Sequence, residues 1–153
     1  IVYAFWLTLQ NRKARGASRY EVTDKPKKVE WASQNMLVLG IIVVLGMGLH
    51  LYNFWAKMML VELVPCAGNH HLATDGAYWI GQTFQNPVYV TIYIVWLVAL
   101  WFHLTHGFWS ALQSLGLSGH IWFNRWRVIG NVFVTIVVRM FLAVVLGFAC
   151  GLA

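Results

Sequence analysis

Apolar and polar positions fall in long blocks along this chain, not at the short intervals of a water-soluble domain. Residues 1 to about 11 are apolar and read as the last turns of a membrane helix. The stretch "NRKARGASRYEVTDKPKK" follows, polar and basic, with Gly16 and Pro26 marking it as a loop. Residues 34–60 then form an apolar run that carries no charge up to Lys57. "VELVPCAGNHHLATDGAYWIGQTFQNP" interrupts it with Glu62, Asp75 and no Lys or Arg, and reads as a second loop. Pro87 stands where the next apolar run begins, a natural first-turn position, and that run covers 88–115. "GLSGHIWFNRWR" is the third polar stretch, and 128–153 the last apolar run.

A membrane-spanning helix needs roughly 20 apolar residues, and each of the last three runs is long enough. The pattern predicts an all-α, polytopic transmembrane helix bundle: one membrane domain over 1–153, made of the end of one helix and three full spans. The chain opens inside an apolar segment without a Met, which leads us to expect a fragment lacking N-terminal residues.

Composition agrees. The chain is 59% hydrophobic and 10% charged, where a soluble domain carries about a quarter charged residues. The net charge of +6 would suit nucleic acid, but its placement excludes that partner. Seven of the eleven basic residues lie between Arg12 and Lys28, and Arg125 and Arg127 lie in the third polar stretch. Basic clusters beside apolar spans follow the positive-inside rule, so these loops are expected on the cytoplasmic side and the Glu62–Asp75 loop outside. Trp31, Trp55, Trp79, Trp122 and Trp126 fall near the expected interfaces, as an aromatic belt requires. Cys66 and Cys150 stand far apart with no CxxC or CxxCH, so zinc, thiol redox and covalent haem attachment find no support.

The chemistry lies in the buried histidines. An imidazole inside a bilayer is expensive, so an intramembrane histidine is read first as a ligand or part of a proton path. His50 and His103 are so placed. Ala99, His103, Gly107 and Ala111 share one helix face, leaving room for a flat ring system; Gly46 stands four residues before His50 and repeats the arrangement. Small residues also let helices pack closely without any cofactor. Counting about 16 residues into one span and about 11 back from the end of the other puts His50 roughly 8 Å nearer the outer face. Two ligands of one iron should be level, so each histidine would serve a separate haem, with its second axial ligand on the missing N-terminal segment. His106 lies three residues from His103, and periodicity leaves both facing inward. His70, His71 and His120 fall in loops and read as solvated.

"HLTHGFWSALQSLG", "GLHLYNFW" and "AFWLTLQNRKAR" together resemble the cytochrome b membrane anchor of succinate:quinone oxidoreductases and fumarate reductases. The likeness is to the single-subunit, two-haem, five-helix type, Bacteroidetes-like, and covers essentially the whole chain. It implies a fourth-helix histidine followed four residues later by Gly and then an aromatic pair, which His103-Leu-Thr-His-Gly107-Phe108-Trp109 fits. It therefore selects His103 over His106 as ligand, and matches His50 to the third-helix ligand. By the same resemblance His103 would hold a proximal haem b near an iron-sulfur subunit and His50 a distal haem b. Trp31, Ser33 and Gln34 would be placed for the propionates. Arg139, about 12 residues into the last run, departs from the family's apolar pattern, and would either meet a propionate or quinone or snorkel along a groove.

The implied function is electron transfer between membrane menaquinone or quinol and soluble flavoprotein and iron-sulfur subunits, which carry the FAD and the clusters. The chain would be the anchor of a respiratory enzyme in the bacterial inner membrane, without a dicarboxylate site of its own, and a dimer of heterotrimers would suit it. Three alternatives stand beside this one, the third a haem-free structural anchor, which would require the histidines to be dispensable for pigment. The first is a di-haem anchor for a hydrogenase or formate dehydrogenase. The second is a transporter or proton path lined by His50 and His103, which would want buried acids; none occurs between Glu30 and Glu62 or after Asp75.

Overall fold

The computed structural model describes residues 2–16, 30–64, 74–117, 119 and 121–151. They form helices with no strand among the described residues: α1 (Val2–Arg15), α2 (Trp31–Gln34), α3 (Met36–Leu63), α4 (Gly76–Phe84), α5 (Pro87–Ser114) and α6 (Trp122–Ala149). Three of them, α3, α5 and α6, are long and apolar enough to cross a membrane, as the block pattern predicts. Large apolar side chains stay exposed along all three, among them Leu45, Val95, Val98, Phe133, Ile136 and Met140. A surface of that kind is stable facing lipid tails, and the protein is a membrane protein.

Several boundaries differ from those the polarity pattern predicts. α1 runs on through "NRKAR" to Arg15, because basic residues are good helix formers, and stops at Gly16 with φ +61°. α6 begins six residues earlier than the apolar run, taking Arg125 and Arg127 into its first turns. The Asp75–Pro87 segment, expected as loop, contains α4, whose first turn is capped by Asp75 accepting from the Tyr78 amide at 3.0 Å. Pro87 opens α5 as predicted, with the Asn86 side chain accepting from the Val88 amide at 2.9 Å. α5 ends in a Schellman turn: the Leu117 amide reaches the Leu112 carbonyl at 3.0 Å and Gly116 takes φ +74°. Within α3, Leu51–Leu60 adopts the wider π form, directly after His50.

α3 and α5 run antiparallel, which their contacts fix: Gly40 meets His103, Gly46 meets Trp96, and Asn53 bonds Tyr93. α5 and α6 do the same, with Trp101 Nε1 donating to Thr135 Oγ1 at 3.0 Å and Phe108 seated on Gly130. The larger core gathers Phe84, Tyr93, Trp96, Leu97, Val134, Val138 and Val145; a smaller one joins Ala32, Leu39 and Ala99 nearer the Glu30 end.

Candidate functional site: two enclosed imidazoles

His103 sits on α5 where α3 comes closest. Gly40 makes that approach: a Cβ there would lie 3.5 Å from His103 Cε1, so the ring rests along a bare stretch of α3 backbone. Beside it is a cavity of about 490 Å³ lined by His103, by Met36, Leu37, Gly40 and Ile41 of α3, and by Val2, Phe5 and Thr8 of α1. Gly107 stands one turn along α5, 3.8 Å from Met36 of the same cavity when a Cβ is placed on it. Ala99 and Ala111, expected on the same face, do not line this cavity: Ala99 is buried in the smaller core and Ala111 is exposed.

His50 is the last α-helical residue of α3 before the π stretch. Its ring lies 5.7 Å from the Trp96 indole at 28°, 6.2 Å from Tyr93 at 65° and 5.0 Å from Phe54 at 48°. The adjoining cavity, about 380 Å³, is walled by these rings together with Ile80 and Phe84 of α4 and Phe141, Val144 and Val145 of α6. Room beside Gly46 was expected for a flat cofactor. The Trp96 indole occupies it instead: a Cβ on Gly46 would fall 2.0 Å from Trp96 Cδ1.

The Nδ1 atoms of His50 and His103, and that of His106 as well, are enclosed with no hydrogen-bond partner; only the first two histidines line an almost wholly apolar cavity. An enclosed polar atom left unpaired costs about 1–3 kcal/mol. Both volumes fall within the ~300–1,000 Å³ usual for cofactor and ligand pockets. Each cavity is almost wholly apolar apart from its imidazole.

The two histidines lie further apart along the bundle than residue counting from the span ends predicts. His103 is level with Gly40, whereas His50 stands ten residues further on the same helix, which is about 15 Å of rise rather than 8. The two span ends are not level: Gly107 stands beside Met36 at the start of α3, and α5 runs on from there to Ser114. The separation of the two histidines into two levels holds.

His106, which periodicity could not distinguish from His103, faces elsewhere. Its ring meets the Trp109 edge at 4.7 Å, and its Nδ1 lies 3.6 Å from Glu30 Oε2, too long for a hydrogen bond. Arg127 Nη2 donates to the other Glu30 oxygen and its guanidinium covers Trp109 at 5.6 Å. This cluster lines a separate cavity of about 270 Å³ with Trp31, Thr105 and Asn131.

Of the proposed propionate residues, Trp31 is exposed and belongs to the His106 cluster, edge-on to Phe102 at 5.4 Å. Ser33 and Gln34 line neither histidine cavity. Arg139 is exposed beside Met140 on α6 and lines neither cavity. Cys150 is exposed and free. Cys66, His70, His71 and His120 lie outside the described residues. Among the described residues, no three or more His, Cys, Asp or Glu side chains gather as a metal-binding group.

Sequence reasoning missed Trp96, Tyr93, Asn53 and Gly40. A signal for the first existed: a Trp at mid-span, away from any interface, needs a partner for its N–H. Trp96 Nε1 finds one in the Val43 carbonyl at 3.1 Å. No protein-family model, no curated protein and no solved structure matches this chain.

Proposed function

We propose that this protein is a di-haem cytochrome b membrane subunit, passing electrons between a membrane quinol and soluble flavoprotein and iron-sulfur partners of the succinate dehydrogenase or fumarate reductase kind. One observation carries the reading. Two imidazoles, each lining its own apolar cavity, stand at different levels of a membrane bundle. About 15 Å between levels is half of the ~30 Å hydrocarbon thickness, a spacing that suits two relay sites in one span.

In this reading His103 and His50 would each hold a haem through one ring nitrogen, and a bound haem would supply the one-electron couple. Gly40 and Gly107 leave room beside His103. Met36, Leu37 and Ile41 keep water from it, and the α1 residues Val2, Phe5 and Thr8 close the far side. Around His50 the aromatic walls do the same. Among the described residues each cavity offers one imidazole, so a haem there would need a second ligand from outside them. The basic stretches on the Glu30 side would face the cytoplasm, where the soluble subunits dock.

The test is a reduced-minus-oxidised absorbance spectrum of the full-length protein beside His103→Ala and His50→Ala. Two b-type signals are expected, a different one lost in each variant. A wild-type protein without any haem band sinks the proposal. Identifying the subunits that co-purify separates this anchor from one serving a hydrogenase or formate dehydrogenase.

A further inference from the structure

The common way to orient a ligating imidazole is a hydrogen bond from its second ring nitrogen to a carbonyl or carboxylate. His50 has none: its Nδ1 is enclosed and unpartnered. Something else must fix the plane of the ring. Three aromatic rings touch it, and of these the Trp96 indole is the most nearly parallel, at 28°.

Trp96 is itself held at three points. Its Nε1 donates to the Val43 carbonyl of α3 at 3.1 Å. Its five-membered ring drops into the notch left by Gly46, where a Cβ would come within 2.0 Å of Cδ1 and 2.3 Å of Cγ and Nε1. Tyr93 then stands perpendicular against it, at 5.7 Å and 88°, with its hydroxyl accepting from Asn53 Nδ2 at 3.4 Å. Trp96 is 8% exposed and Tyr93 3%, so neither is an interfacial anchor. Among the described residues His103 has no such ring pair, and leans on the bare backbone at Gly40 instead.

We propose that Trp96, keyed into α3 by Gly46 and Val43, is the positioning residue that sets the plane of the His50 imidazole, in place of the hydrogen bond that its Nδ1 lacks. The inference rests on the cytochrome reading above. The orientation of an axial imidazole governs the magnetic anisotropy of the low-spin ferric ion and contributes to its potential. Trp96 therefore tunes one haem and leaves the other untouched.

The experiment uses the full-length protein in its native complex, with electron paramagnetic resonance of the oxidised haems and a redox titration. Trp96→Leu removes both the ring and the N–H; Gly46→Ala expels the indole from its notch; Trp96→Phe keeps an aromatic face and loses the bond to Val43. Trp96→Leu and Gly46→Ala are expected to shift the resonance and midpoint of the haem lost in His50→Ala, or to lose that haem alone. Trp96→Phe is expected to restore most of the wild-type signal. The signal lost in His103→Ala serves as the internal control for folding and stays unchanged throughout. Unshifted His50 signals in both Trp96→Leu and Gly46→Ala, with both haems present, overturn the inference and leave the cytochrome reading intact. Equal disturbance of both haems overturns it too, since Trp96 would then be general packing. A wild-type complex without haem removes the reading on which it rests.

Discussion

Gly40 and His103 face one another across the α3–α5 seam, with a Cβ on Gly40 falling 3.5 Å from His103 Cε1. That is an ordinary contact, so Gly40→Ala should leave the ring where it is. Gly40→Leu should not, because its branch must enter either the imidazole or the cavity beside it. In a difference spectrum we expect Gly40→Ala to keep both b-type signals. Gly40→Leu should lose the one also missing in His103→Ala and retain the other. Retention of both signals in Gly40→Leu would mean that this cavity is not where the cofactor sits.

His103 and His106 are three residues apart and yet serve different surroundings. One borders the α1–α3 cavity and the other the Glu30–Arg127–Trp109 cluster. His106→Gln should therefore keep both haem signals, whereas His103→Ala loses one. The reverse pattern, measured on the same membranes, would exchange their roles.

The spans were legible because bilayer insertion depends on long-range apolar content, which composition records directly. The helix ends were less so. Arg125 and Arg127 are polar enough to look like loop, but their stems and helix propensity let α6 begin at Trp122. α4 escaped because nine residues of mixed polarity in a loop give too short a period to recognise, although the Asp75 cap was present in the sequence. The candidate histidines were visible because buried imidazoles are rare. Their surroundings were not, since which side chain fills the gap at Gly46 is decided by α3–α5 register. The π stretch after His50 compounds this: it changes which residues face inward, and brings Asn53 to 1% exposure.

That burial makes Asn53 the most enclosed polar side chain among the described residues, and its amide donates to Tyr93 at 3.4 Å. Tyr93→Phe deletes the acceptor and leaves the donor enclosed. A loss of about 1–3 kcal/mol is expected, read from denaturant or thermal unfolding of the purified protein in detergent. Adding Asn53→Leu should recover part of that loss, because no unpaired amide remains. A double variant less stable than Tyr93→Phe would show that Asn53 serves another partner.

Gly130 on α6 gives the cleanest packing test. A Cβ there would lie 2.2 Å from Phe108 Cδ1 and 2.6 Å from Cε1, so Gly130→Ala forces the ring to move. Phe108 is 38% exposed, which lets it swing outward and holds the cost near the low end of the ~1–3 kcal/mol typical of overpacking. Phe108→Ala alone also destabilises, by removing the contact. Together they should be less harmful than their sum, because the new methyl occupies space the ring has left. The coupling, from unfolding of the wild type, both single variants and the double, should be at least ~0.5 kcal/mol in the compensating sense. Strict additivity would mean that α5 and α6 do not meet at this pair.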